Sequence, residues 1–213
     1  MSSELVTCEK KGKIWTVTLN RPDKANVLNV ETLQILKAHL ASAAHEPNLR
    51  ALILTGEGER VFCSGADTSD DERQTHIQNV LWDQIGDALT TLPILTIALV
   101  NGHCIGRGMT LLLGCDIRIS VSQARFSYPA LQTGAQPGHG DVHRLQELIG
   151  PGRCSAVLLG GQRIHSDRAL NWGLVDYVVE RPALANLANT MALVAMQSDA
   201  DHLAAIKRLC RDT

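Results

Sequence analysis

The chain has 213 residues, is 45% hydrophobic and carries 20 basic against 22 acidic residues, a formal net charge of -2. That size supports one domain with a sizeable core, and the charge balance argues against a nucleic-acid surface. No apolar run reaches the roughly 18 residues of a membrane span, and "MSSELVTCEKKGKIW" lacks a signal core, so a cytoplasmic protein without membrane contact is expected.

In chain order, "KIWTVTLNRP" alternates apolar and polar residues through Ile14, Trp15, Val17 and Leu19, and predicts a half-buried strand ending at Pro22. "NVETLQILKAHLASAAHE" places Val30, Leu33, Leu36 and Leu40 at helical spacing, with Asn29 as cap. "LRALILTGEG" predicts a buried strand, and "VFCSGADTSDDE" a loop. Residues 73–91 predict an amphipathic helix with Ile77, Val80, Leu81, Ile85 and Leu89 on one side. "TSDDERQ" reads as acidic residues placed favourably at that helix start.

"ILTIALVNG" predicts another buried strand. "GHCIGRGMTLLLGCD", residues 102–116, then reads as a Gly-rich turn feeding a buried helix, with Asp116 closing it structurally. "IRISV" and "VDYVVE" predict strands. Helices are expected in "GPGRCSAVLLGG", in "HSDRALNWGL" with Ser166 or Asp167 near its cap, in "RPALANLANTMALVAMQS" and in "DADHLAAIKRLCRDT". Apolar strands alternating with helices imply an α/β fold with parallel strands.

Six scattered cysteines without a CxxC pair fit reduced thiols filling small core sites, and no metal site is expected. Cys63 and Cys104 belong to that group. Aromatic residues are scarce, at 3%, so the core is aliphatic.

"NRPDKANVLN", "LTGEGERVFCSGAD", "VNGHCIGRGMTLLLGCDIRIS", "FSYPALQTGAQPGHG" and "LGGQRIHSDRALNWGLVDYVV" follow in an order and spacing that resemble the crotonase (enoyl-CoA hydratase/isomerase) superfamily. The resemblance runs from about residue 10 to 210. It implies a ββα-superhelix, or spiral, fold: a core over residues 1–185 and a C-terminal helical segment over 186–213, shorter than the family's usual helical region. It also implies an acyl-CoA or acyl-carrier-protein thioester as partner, with CoA or phosphopantetheine carried by the substrate and no separate cofactor. A homotrimer or other homo-oligomer is the family's usual assembly.

The resemblance further implies two backbone N–H donors that hold a thioester oxyanion: Ala66 in "SGAD", and Arg107 at the middle of the family's glycine triplet. Lys24, Ala25, Val27, Ala66, Asp67, Thr68, Arg107, Thr110 and Ala130 fall at substrate-binding positions. The two glutamates of the family's hydratases correspond to Thr110 and Ala130, and neither side chain exchanges a proton near neutral pH.

A substitute must then move the proton. His139 in "GHGD" has a suitable intrinsic pKa, and Asp141 or His143 could orient it. Tyr128 could donate from its phenol. His103 reads as packing, and the Arg107 side chain as facing solvent, a neighbouring subunit or a substrate anion. These residues predict enolate stabilisation with decarboxylation or related lyase or isomerase chemistry, and not two-glutamate hydration. Two alternatives stand beside that reading: a non-catalytic thioester-binding homologue, and a hydrolase of β-diketone C–C bonds using a His–Asp pair.

Overall fold

The computed structural model describes residues 5–67 and 72–211. Its strands are β1 (Val6–Lys11), β2 (Ile14–Leu19), β3 (Ala51–Gly56), β4 (Val61–Cys63), β5 (Leu95–Val100), β6 (His103–Ile105), β7 (Ile117–Val121), β8 (Arg125–Ser127), β9 (Ile164–His165) and β10 (Tyr177–Val179). Its α-helices are α1 (Val30–Ala44), α2 (Glu72–Thr91), α3 (Gly108–Gly114), α4 (Ala130–Thr133), α5 (His139–Ile149), α6 (Pro151–Leu158), α7 (Ser166–Trp172), α8 (Arg181–Gln197) and α9 (Ala200–Arg211).

The strands form two sheets. The larger has the order β1-β2-β3-β5-β7-β10, and the smaller β4-β6-β8-β9. From β3 onward the chain repeats one step: a strand in the large sheet, a strand in the small sheet, then a helix. β3-β4-α2, β5-β6-α3 and β7-β8 with the helices after it are three turns of that spiral. Successive turns pair in parallel within both sheets, as helical crossovers require. The antiparallel β1–β2 hairpin and β8–β9 pair stand at sheet edges.

The aliphatic strands expected from sequence are present, and β3 and β5 are nearly all buried. β2 alternates as predicted, with Trp15, Val17 and Leu19 facing the core. Asn29 caps α1 by accepting from the Thr32 N–H at 2.9 Å, and Leu33, Leu36 and Leu40 pack inward.

Several expectations change. The "VFC" segment expected as loop is β4, and "HCI" inside the expected Gly-rich turn is β6. Both strands are three residues long, too short for periodicity to register. In α2 the buried stripe runs through Gln78, Leu81, Trp82, Ile85 and Leu89, while Ile77 and Val80 are exposed. Gln78 and Trp82 sit four residues apart and so share a face. The segment "HGD" opens α5, where Gly138 is the cap and Asp141 lies in the first turn. The cap of α7 is His165, with no side-chain bond; Ser166 instead donates to the Ser122 carbonyl. α8 runs unbroken past residue 185, where the sequence reading places a boundary.

α8 lies against β3, β5 and β7 through Leu184, Ala188, Ala192 and Ala195. α9 is tied to the sheet side by two cations, Lys207 and Arg211. Lys207 is buried, with its Nζ 2.8 Å from Asp116 and 2.9 Å from the Ile94 carbonyl. Asp116 also accepts from the Thr96 N–H, the Thr96 hydroxyl and Arg211. Burial holds the Lys207 pKa below its ordinary value, against the pull of Asp116. Removing Asp116 therefore strands a buried ammonium. Asp116→Ala should lower unfolding free energy by about 3 kcal/mol in urea titration, and adding Lys207→Met should recover part of the loss. A single-variant loss under about 1 kcal/mol would show the pair to be dispensable.

Candidate active site

β4 and β6 pair in parallel with Cys63 opposite Cys104, so the loops after them leave the small sheet side by side. Their approach depends on missing side chains. Gly65 has φ +96°, and a Cβ there would lie 2.9 Å from the Arg107 amide nitrogen. A Cβ on Gly108 would overlap the Cys63 carbonyl. Only glycine meets both demands, left-handed backbone at the first position and contact at the second.

The β4 loop is pinned from the other side. Leu28 and Ala66 form a parallel bridge: the Leu28 N–H donates to the Gly65 carbonyl at 2.9 Å, and the Asp67 N–H to the Leu28 carbonyl at 3.1 Å. Arg21 binds the Val27 carbonyl at 2.9 Å and Asp67 at 3.1 Å. Ala25 and Asn26 both adopt left-handed backbone, with φ 51° and 52°. Asn26 stabilises that turn by donating to the Glu57 and Val61 carbonyls and accepting from the Arg21 N–H. The Ala25 carbonyl accepts from the Ser64 amide and hydroxyl.

The structure thus gathers Ala25, Val27, Ala66, Asp67 and Arg107 around one place, with Lys24 exposed beside them. Thr68 and most of the acidic "TSDDERQ" stretch fall outside the described residues. The amides of Ala66 and Arg107 have no hydrogen-bond partner among the described residues. Arg107 is the N-cap of α3, so its N–H stands at the positive end of a helix.

Behind these amides lies a buried polar group. Asp141 is 2% exposed, and its Oδ2 accepts from the Thr110 hydroxyl at 2.6 Å, the Tyr128 phenol at 2.9 Å and Arg107 at 3.4 Å. Its Oδ1 ion-pairs with Arg144 at 3.5 Å. The Arg107 guanidinium also binds Asp83 at 3.0 Å and approaches Asn79 at 3.5 Å. Gly138 leaves room for it, because a Cβ there would overlap Arg107 Nη1. Ala130 is buried nearby in the chain, its N–H donating to the Tyr128 carbonyl.

These contacts fix the protonation pattern. Burial raises the Tyr128 pKa well above the phenol range, and the adjacent Asp141 charge raises it further, so the phenol keeps its proton. Burial works against the Arg107 charge, but Tyr128, Asp141 and Asp83 outweigh it and raise the guanidinium pKa. Burial pushes the Cys63 thiol up to about 12 and Cys104 well above its ordinary value, which suits core filling and not nucleophilic attack. His103 is half-buried, and burial, with Arg125 and Arg60 adding to it, lowers its pKa.

Two sequence expectations are corrected. His139 is exposed at the start of α5, and His143 is exposed and paired with Glu147. Residues two apart on a helix face different sides, so Asp141 turns inward while His139 turns out. Asp141 orients Tyr128 and Thr110, not His139. The Arg107 side chain does not face solvent; it is buried and paired with Asp83 and Asp141. Sequence reasoning missed Asp83, Asn79 and Arg144. Their signal was present: Asn79, Asp83 and Asp87 recur every four residues on α2, a polar stripe that faces Arg107 and Arg144.

The profile of the enoyl-CoA hydratase/isomerase family matches residues 9–213. A short-chain-enoyl-CoA hydratase of Clostridium acetobutylicum is 38% identical over 191 residues, covering 88% of this chain and 73% of that protein. A carnitinyl-CoA dehydratase of Salmonella arizonae is 33% identical over 99% of this chain and 82% of its own length. The crystal structure of an enoyl-CoA hydratase from Bacillus anthracis superposes with a TM-score of 0.92 at 30% identity, over 96% of this chain and 81% of that one.

The Tyr128–Asp141 contact can be read optically. The chain has two tyrosines, so Tyr177→Phe leaves Tyr128 alone to give phenolate absorbance. That signal should be absent at pH about 10, where a free phenol is half ionised. Asp141→Asn should move the titration downward, because it removes a neighbouring negative charge. A half-point at the free-phenol value in the parent would refute the contact.

Proposed function

Because this chain belongs to the enoyl-CoA hydratase/isomerase family, we propose that it holds an acyl-CoA thioester carbonyl between the Ala66 and Arg107 amides and stabilises the enolate formed there. The observation that carries this is the pair of amides without partners on adjoining loops. Such donors cost no reorganisation when charge develops on the oxygen, and each contributes about 3 kcal/mol. The C. acetobutylicum and S. arizonae relatives are named for acyl-CoA hydration and dehydration, which supports a thioester as substrate.

The reaction we favour is loss of a carboxylate β to the thioester carbonyl. Thr110 and Ala130 stand where the resemblance puts the hydratase glutamates, so the usual pair of proton carriers is missing. Decarboxylation needs no base. The bond from the α-carbon to the carboxylate breaks, carbon dioxide leaves, and the electron pair passes into the thioester to give the enolate. That oxyanion rests on the two amides. One proton must then reach the α-carbon.

Tyr128 is the acid in this reading. A thioester enolate is a far stronger base than a phenolate, so a phenol of raised pKa still gives up its proton to it. Arg107 lies close enough to lower the Tyr128 pKa, which favours the phenolate left behind. Asp141 keeps the phenol protonated until the enolate exists. The exposed His139 and the inward Asp141 do not form a His–Asp pair, which disfavours C–C hydrolysis by activated water. The mutual satisfaction of Thr110, Tyr128, Arg107 and Asp141 favours one competing reading, a thioester-binding protein without turnover.

A direct comparison tests this. The protein should release carbon dioxide from a β-carboxyacyl-CoA such as malonyl-CoA, and should hydrate crotonyl-CoA slower by several powers of ten than a two-glutamate enzyme, since each acid–base group contributes about 10² to 10⁴. Ala66→Pro should abolish turnover by removing a donor. Tyr128→Phe should lower kcat by about 10² with KM little changed, and His139→Ala should leave both intact. Crotonyl-CoA turnover near about 10 per second would overturn the reading. Binding without conversion of either thioester would establish the competing one.

A further inference from the structure

We infer that Asp83 and Asp141 are positioning residues for the oxyanion: they hold the Arg107 amide in place by clamping the side chain of the same residue. The inference rests on the reading of that amide as an oxyanion donor.

Arginine is a costly residue at this point. A backbone donor needs only an N–H, which any residue except proline supplies. Burying a guanidinium is expensive unless it is paired, and freezing its long side chain adds an entropic cost. Here the side chain is 9% exposed and meets oxygens from two different helices. Asp83 lies on α2 at 3.0 Å, and Asp141 on α5 at 3.4 Å. Asn79, one turn before Asp83, adds a third oxygen. Gly138, the cap of α5, supplies the space for the guanidinium.

The backbone around Arg107 is tied in part by its neighbours: the Gly106 N–H donates to the Ser127 carbonyl, and the Gly106 and Arg107 carbonyls accept from the Met109 and Thr110 N–H groups. Gly106 precedes it with φ +56°, and Gly108 follows it. Glycines on both sides still leave this turn more backbone freedom than other residues would. The clamp removes that freedom from the side-chain end. It also gives the two donor loops the same construction. Beside Ala66, Arg21 pairs with Asp67 at 3.1 Å; at Arg107, the arginine itself pairs with Asp83 and Asp141. Preorganised donors work because they already point where charge develops, and a displacement of about 1 Å can cost about 10²-fold in rate.

The test uses butyryl-CoA labelled with heavy carbon at the thioester carbonyl, bound to the full chain and read by infrared difference spectroscopy. The wild type should shift the carbonyl band to lower frequency, as polarisation by the two amides requires. Asp83→Asn, at a half-exposed side chain that leaves the core intact, should lose half or more of that shift while the Kd for butyryl-CoA changes less than about twofold. Asp141→Asn should do the same, with thermal unfolding recorded alongside to separate positioning from collapse. The decisive arm is Arg107→Gly, which keeps the amide and removes the clamp. It should lose shift by itself, and adding Asp83→Asn to it should then change nothing.

A full shift in Asp83→Asn overturns the inference. So does an equal loss from Asp83→Asn in the Arg107→Gly background, because the aspartate would then act by another route. If the wild type binds butyryl-CoA without any band shift, the oxyanion-hole reading itself falls and takes the inference with it. A wild-type shift that Asp83→Asn leaves untouched removes the clamp alone.

Discussion

Two three-residue strands running side by side in the same direction set the geometry on which this molecule's site depends. β4 and β6 are too short to contribute much stability by themselves. Their parallel pairing matters because it sends both chains out of the same edge of the small sheet. The glycines at 65 and 108 then let the two loops touch, the first by its positive φ and the second by leaving the Cys63 carbonyl uncovered. Parallel pairing demands crossovers, and α2 and the large-sheet strand β5 supply the one between β4 and β6. The spiral is therefore the route by which two amides 41 positions apart in the chain, at 66 and 107, come onto adjoining loops.

Electrostatics constrains the side behind those amides. The buried guanidinium of Arg107 and the buried carboxylate of Asp141 must satisfy one another, with the half-exposed Asp83 as a further partner, since an unpaired buried charge is expensive. This requirement links residues that look unrelated in the sequence. Position 138 must be glycine to admit Arg107. Position 110 must offer a short donor, which Thr110 does with its hydroxyl. Position 128 must offer a phenol or similar group, since Asp141 needs a third partner. Arg144 and Gly86 extend the arrangement onto α2: a Cβ on Gly86 would come within 2.7 Å of Arg144 and 2.9 Å of Thr110. Ion pairs thus add to the apolar packing between α2, α3 and α5.

The sequence carried the long elements and the family well, and the site only in part. β2, β3, β5, β7 and the helices α1, α2, α8 and α9 were legible, because each repeats its pattern several times over. The motifs singled out Ala66 and Arg107, and the structure places them on adjoining loops. The polar partners were not legible. Asp141 stands beside His139 in "GHGD", and proximity in sequence suggested that they work together; helix geometry sends them to opposite sides. Asp83 is 24 residues from Arg107, and nothing local ties them. The four-residue recurrence of Asn79, Asp83 and Asp87 was the available signal, but on an amphipathic helix such a stripe ordinarily faces water. Here the stripe stays largely exposed, yet its Asn79, Asp83 and Asp87 oxygens reach the buried guanidinium of Arg107 and the Arg144 side chain at its edge.

The absence of an acid at position 110 and the presence of one at 141 have a single physical basis. Thr110 Oγ1 donates to Asp141 Oδ2 at 2.6 Å. A carboxylate on residue 110 would bring a second negative charge into hydrogen-bond range of the first, and two such groups cannot both ionise without severe repulsion. One would have to keep a proton, or Arg107 would have to abandon Asp83 to neutralise both. A glutamate at 110 and an aspartate at 141 are therefore alternatives, each excluding the other while Arg107 stays where it is. The same reasoning bears on a chain that keeps 38% identity to a hydratase while threonine stands at position 110. The backbone donors depend on glycines and strand pairing, which this chain keeps. The proton carriers depend on the charge balance behind those donors, and here that balance is set by an arginine at position 107.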